Sequence, residues 1–216
     1  MTAGRFIALE GGEGAGKSTQ AQLLADALRQ RGLDVVVTRE PGGTSGAEAI
    51  RALLLGPSGG ASGDGWQPRA EALLFAAARS DHVERLILPT LAAGRWVVCD
   101  RFLASSLAYQ GGGSGLSDDD LLTLHRIGSG GLRPDLTLLI EVAPEVAAAR
   151  LAARDVEGPD RIGGRSTQYH ARVAAAFAAI AARDPAGFAR IDGNAGPQET
   201  HAHIMQALAL LEASTS

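Results

Sequence analysis

The chain has 216 residues, 45% hydrophobic and 20% charged, with a formal net charge of −4. That supports one substantial core, so a single domain over residues 1–216 with one small excursion is expected, while the negative balance speaks against a non-specific binder of nucleic acid or membrane surfaces. No segment approaches a membrane span and no charged stretch leads into a long apolar run at the beginning, so a cytoplasmic protein is expected.

The first apolar run, Phe6–Leu9, reads as a short buried strand. It leads into Gly11-Gly12-Glu13-Gly14-Ala15-Gly16-Lys17-Ser18, which fits the P-loop pattern G-x-x-x-x-G-K-[ST]. Lys17 is the only lysine, whereas the other nineteen Lys and Arg residues are all arginine; the loop keeps the one compact ammonium that can reach outer phosphates. Leu23, Leu24, Ala27 and Leu28 then recur at helical spacing, with Gly32 placed to end the helix. Strand, glycine loop and helix in this order present unpaired amides and a positive dipole to an anion.

Val35–Thr38, Trp96–Asp100, Leu136–Val142 and Phe188–Ile191 are further buried-strand patterns. Helical patterns between them predict βαβ units and a mostly parallel sheet covered on both faces. The spacing predicts helices over Ala47–Leu55, Arg69–Leu91, Leu116–Ile127 (capped by Ser117) and Val173–Ala182. Residues 56–65, rich in glycine and serine, read as a loop. Cys99 is the only cysteine, so no disulfide forms within the chain. Its place at the end of Trp96-Val97-Val98-Cys99 predicts a small buried residue, not a nucleophile. Between Arg150 and Arg172, the arginines 150, 154, 161, 165 and 172 alternate with Gly158-Pro159 and Gly163-Gly164, which marks a basic lid segment.

Three more stretches decide the kind of P-loop protein: Thr38-Arg39-Glu40-Pro41-Gly42-Gly43-Thr44, Asp100-Arg101-Phe102, and Ala108-Tyr109-Gln110-Gly111-Gly112-Gly113. Together with the glycine loop, in matched order from about Phe6 to Arg172, the chain resembles the thymidylate kinase family of the bacterial type. The resemblance implies an α/β P-loop NTPase fold of three layers, with a parallel five-stranded sheet flanked by helices and a short lid at about 150–172, in one nucleoside monophosphate kinase domain. It implies transfer of the γ-phosphate of ATP to dTMP, giving dTDP and ADP, with Mg2+, in a homodimer.

The chemistry of the parts follows from charge. The acceptor that the resemblance implies would itself be a phosphate, largely dianionic at neutral pH, so it would need no general base. It needs cations, because two polyanions must meet. Gly11, Gly12, Glu13, Gly14, Ala15, Gly16, Lys17, Ser18 and Thr19 form the ATP-binding stretch. Ser18 is the expected Mg2+ ligand through its hydroxyl. Asp100, closing a strand, either holds the metal or orients Arg101 by an ion pair. The resemblance implies that Arg101 contacts the acceptor phosphate; Arg39 helps to meet the demand for cations, and Arg39 and Glu40 are expected among the substrate-binding residues. It implies that Glu13 contacts the deoxyribose 3′-hydroxyl and that Arg154 or Arg161 supplies transition-state charge from the lid. It also implies that Phe75 stacks on thymine, Arg79 bonds its exocyclic oxygen, Ser106 and Gln110 line the pocket, and Tyr109 crowds the 2′ position. Phe75 and Arg79 are i, i+4 on one helical face; read alone, a helix phenylalanine is ordinarily core. The lid carries Asp160-Arg161-Ile162-Gly163, where the family usually has an acid at the last position. Another nucleoside monophosphate kinase is the alternative reading. A nucleotide switch would need a guanine-reading Asn-Lys-x-Asp, which this lysine content forbids.

Overall fold

The five apolar runs form strands β1 Phe6–Glu10, β2 Val35–Arg39, β3 Trp96–Asp100, β4 Leu136–Glu141 and β5 Phe188–Asp192 in a computed structural model that describes residues 4–56, 65–154 and 161–213, at Arg154 the backbone alone. All pairings are parallel, in the order β2-β3-β1-β4-β5. Successive side chains face opposite layers. Phe6 and Ala8 join Val97, Cys99 and Leu139 in one buried cluster, and Ile7 and Leu9 join Val98, Leu138 and Ile140 in the other. Burial on both faces is why the central strands β1, β3 and β4 read as unbroken apolar runs.

Helix α1 (Lys17–Gln30) lies on the Ile7/Leu9 face through Leu24 and Leu28. Gly32, at φ 83°, ends it: its amide bonds the Arg29 carbonyl (2.9 Å) and the Leu33 amide bonds that of Leu28 (3.2 Å), a Schellman closure. Helix α2 (Ser45–Leu55) is capped by Thr44, whose hydroxyl accepts the Ala47 amide. The long helix expected over Arg69–Leu91 is α3 (Pro68–His82), a π-helical turn at Val83–Ile87, and α4 (Leu88–Ala92). Pro89 offers no amide and would crowd the carbonyl four residues back, and the widened turn immediately precedes it.

No helix is anticipated after β3, yet α5 (Leu103–Ser106) continues as a π-helical run through Leu107–Gly113. Three consecutive glycines hide it in the sequence; they are there for packing. A Cβ on Gly113 would meet the Tyr169 ring at 2.5 Å, so small residues let this run sit against the helix over Thr167–Arg183. Helix α6 (Asp118–Ser129) begins at Ser117 as expected, with the Ser117 hydroxyl accepting from the Asp120 amide. Helix α7 (Pro144–Arg154) extends into the segment read as lid. Residues 155–160, including Gly158, Pro159 and Asp160, lie outside the described residues, as do 57–64 of the glycine-rich loop. Helix α8 (Thr167–Arg183), capped by Ser166, starts six residues before the expected Val173 and so carries Arg172. Helix α9 (Pro197–Ala213) covers the α1 face through Ile204 and Leu208. Among the described residues no helix is long and apolar enough to cross a membrane.

Candidate active site

The carboxyl ends of β1, β2 and β3 converge. Arg39 aligns with Asp100, and Asp100 with Leu9, so the loops after these strands share one crevice, where open α/β sheets place ligands. In the glycine loop, Gly14 has φ 73°, and a Cβ there would meet the Ala147 carbonyl oxygen at 2.6 Å. Gly16, at φ 87°, precedes α1 with no side-chain cap on the helix amides, leaving them to an anion. Lys17 is buried, its Nζ donating to the Gly12 carbonyl at 2.7 Å. Burial, and then the Arg101 charge, push its pKa from the ordinary 10.5 down to about 8.

The Ser18 hydroxyl donates to Asp100 Oδ2 at 2.5 Å. Asp100 Oδ1 is buried with no hydrogen-bond partner among the described residues. A hydroxyl beside a carboxylate with a buried, unpartnered oxygen fits Mg2+, which takes one or two protein oxygens and completes its shell with water and phosphate. Among the described residues no group of three His, Cys, Asp or Glu side chains could hold a metal, so the protein's share would be this pair.

Arg101 takes its partners elsewhere than Asp100. Its Nη2 donates to Glu13 Oε1 (2.6 Å) and its Nη1 to the Gly11 carbonyl (3.0 Å) and Ser105 Oγ (3.1 Å). Its guanidinium lies 5.0 Å from the Tyr109 ring centroid. Burial opposes its charge, but Tyr109, Glu13, Asp100 and Glu10 outweigh burial and raise its pKa. The Tyr109 hydroxyl also donates to Glu13 Oε1, at 3.1 Å. Beneath them Glu10 is fully buried: Oε1 accepts the Phe102 and Ser105 amides (2.9 and 3.0 Å) and Oε2 the Ser105 hydroxyl (2.6 Å). Burial raises the Glu10 pKa against these bonds. Glu10 thus caps α5, whose own N-cap residue, Phe102, gives no side-chain bond, and fixes Ser105 under Arg101. Cys99 is buried as expected, its thiol pKa pushed well up by burial and then by Glu40.

On the β2 side, Arg39 is largely exposed and pairs with Glu48 (3.0 Å). Glu40 is buried: Oε2 takes Arg79 Nε at 2.7 Å and Oε1 faces His82 Nδ1 at 3.1 Å, while His82 Nε2 meets Thr38 Oγ1 at 2.7 Å. Arg79 Nη2 donates to the Phe102 carbonyl (3.0 Å) and Ser106 Oγ (2.9 Å). Gln110 Nε2 donates to Glu71 Oε1 at 3.0 Å. Phe75 is half-buried against the α5–α8 side of the core and lines the same cavity.

Of the two lid arginines, Arg161 reaches Glu71 Oε2 (3.0 Å) and the Leu54 carbonyl (3.1 Å). That places it beside the Gln110 end of the cavity, whose lining does not include it. The Arg154 side chain lies outside the described residues. Arg150, read only as one arginine of a basic segment, is instead a cavity residue. Its Nη2 donates to the Gly193 and Ala195 carbonyls, both at 2.8 Å, and a Cβ on Gly16 would come within 3.9 Å of its Nη1. Glu10, Glu71 and His82 carry no signal in the sequence beyond being polar in apolar surroundings; only their long-range partners mark them.

One cavity of about 670 Å³ runs from Gly14–Thr19 past Asp100 and Arg101 to Phe75, Arg79, Ser106, Tyr109 and Gln110. A P-loop cradle and an acceptor-side recess in one cavity, with an arginine between them, define a P-loop kinase acting on a small phosphorylated acceptor. Residues 9–204 match the family model described as thymidylate kinase. The chain is 59% identical to a thymidylate kinase of Rhizorhabdus wittichii over 206 residues, covering 95% of this chain and 97% of the relative. It is 49% identical to one of Rhodopseudomonas palustris over 208 residues, covering 96% and 89%. A crystal structure of thymidylate kinase from Ehrlichia chaffeensis superposes with a TM-score of 0.77 at 29% identity, covering 95% of this chain and 99% of that one. The chain belongs to the thymidylate kinase family.

Proposed function

We propose that this chain transfers the γ-phosphate of ATP to dTMP, giving ADP and dTDP for dTTP synthesis. Family membership assigns that reaction, and the observation that carries it to particular residues is the single cavity joining the P-loop to the Arg79–Gln110 pocket. An acceptor phosphate oxygen attacks the γ-phosphorus in line, the bond to the β–γ bridging oxygen breaks, and ADP leaves with the electron pair. The loop amides and Lys17 hold the donor phosphates. Mg2+ on Ser18 and Asp100 would neutralise charge on the phosphate oxygens. Arg101, between the two halves of the cavity, receives the acceptor phosphate, and its bond to Glu13 keeps it in place beforehand. Glu13 and Tyr109, already joined by a hydrogen bond, bracket the sugar. Phe75 stacks on the base, and Arg79, fixed by Glu40, Ser106 and the Phe102 carbonyl, donates to its exocyclic oxygen. Arg39, which lines the cavity and pairs with Glu48, is a guanidinium that an incoming phosphate would draw from that carboxylate. Of the lid at about 150–172, Arg154 is assigned the transferred phosphate. The bonds of Arg161 to Glu71 and Leu54 favour a role in holding the lid over the acceptor side.

Leu73 on α3 and Ile127 on α6 are 56% and 77% exposed on helices that pack together, which supports a homodimer through this face; sedimentation equilibrium giving a monomer at micromolar concentration would refute it. A cytoplasmic location fits an enzyme that draws on ATP. The test of the reaction is ADP release with dTMP, UMP, CMP and AMP as acceptors. dTMP should lead the panel, and faster turnover of any other would overturn the assignment of the base pocket.

A further inference from the structure

Glu71, on α3, is 0% exposed, yet it belongs to neither the phosphate machinery nor the set of base contacts. Its two oxygens are divided. Oε1 accepts from Gln110 Nε2 at 3.0 Å. Oε2 accepts from Arg161 Nη2 at 3.0 Å and from Arg165 Nη2. A carboxylate between two guanidiniums offers acceptors only, so the Gln110 side chain must turn its NH2 toward Glu71. The carbonyl oxygen of the same amide is then the end left to the cavity that Gln110 lines with Phe75, Arg79 and Ser106. Arg79, on the same wall, has donors only. One acceptor and one donor facing the base match a pyrimidine with N–H at ring position 3 and C=O at position 4. Cytosine reverses both, presenting a lone pair to an oxygen and an amino group to a guanidinium.

We propose that Glu71 is a specificity-determining positioning residue, fixing the Gln110 amide so that its carbonyl selects an acceptor base carrying a proton on N3. This rests on the reading above that the base lies against Gln110. Arg161 and Arg165 hold Glu71 from the other side. Arg165 also donates to the Tyr169 hydroxyl (2.7 Å), which in turn donates to the Tyr109 carbonyl (3.1 Å), so the anchor is tied to the wall that it orients.

The experiment compares kcat/KM for dTMP and dCMP in the wild type, Glu71→Gln and Arg165→Gln. An amide at position 71 can meet Gln110 through either its oxygen or its nitrogen, so the orientation is no longer imposed. The preference for dTMP should fall roughly ten-fold in Glu71→Gln, chiefly through KM, the worth of one mispaired buried hydrogen bond. Arg165→Gln removes a partner from the opposite oxygen and should lower both activities while leaving their ratio within about two-fold. A folded Glu71→Gln enzyme that loses activity on both substrates with an unchanged ratio would make Glu71 a structural anchor and overturn the proposal. Should that variant not fold, a crystal structure of the wild type with dTMP decides. The base N3 on the Gln110 atom that does not touch Glu71 supports the role; N3 on another group overturns it. dTMP bound outside this cavity would defeat the site reading itself, a separate failure.

Discussion

Arg101 offers the sharpest separation of chemistry from stability. It is a non-glycine residue at φ 73°, a conformation that costs an L side chain about 1–2 kcal/mol. Its bond to Glu13 joins side chains only 16% and 24% exposed, so the charge-assisted bond is worth about 1.5–3 kcal/mol. Arg101→Ala keeps the backbone cost and loses that bond, so it should destabilise by about 1.5–3 kcal/mol. Arg101→Gly loses the same bond but is relieved of the backbone cost, less the extra chain entropy of glycine, and should be more stable than the alanine variant by up to about 1 kcal/mol. Both remove the guanidinium assigned to the acceptor phosphate. Each should therefore lose about 10²–10³-fold in kcat, equivalent to about 2.7–4 kcal/mol of transition-state stabilisation. Coupled ADP-release kinetics and urea melts on the same preparations read the two effects independently. If the glycine variant keeps kcat within about five-fold of wild type, or if activity follows stability across the pair, Arg101 is a structural arginine and the charge argument fails.

Lys17→Ala should abolish turnover without lowering the melting temperature, because burial works against the ammonium it removes; melting far below wild type would make Lys17 structural. Since the Lys17 pKa is about 8 in the free protein, its charge fades as pH rises through 8, and ATP affinity should fall above that point. Calorimetry near pH 9 should register proton uptake on ATP binding, and a pH-independent affinity would refute the assignment. The same depression means that the unfolded chain holds this proton between about 8 and 10.5, so the Lys17 contribution to stability improves with rising pH across that window. Asp100→Asn should raise the Mg2+ concentration for half-maximal rate at least about ten-fold, the effect of losing one charged ligand, with little change in KM for dTMP. An unchanged Mg2+ titration would put the metal elsewhere.

The strands, the glycine loop and α1 were legible because each is written in consecutive residues. Apolar runs of four to seven, a G-x-x-x-x-G-K-S string and a 3.6-residue period need no distant partner to be recognised. Helices whose packing overrides their propensity were not legible. The run through Gly111–Gly113 is helical because α8 sits too close for side chains there, and α7 continues into arginines that read as the start of a lid. The order β2-β3-β1-β4-β5 and the meeting of Glu10 with Ser105, Glu40 with Arg79 and His82, and Glu71 with Gln110, Arg161 and Arg165 were decided by tertiary structure alone. A buried carboxylate is stable only beside its donors, and here those donors come from residues about 40 to 95 positions away. The sequence by itself specified what would grip a phosphate; the fold decided which acids hold the arginines and amides that would meet the acceptor.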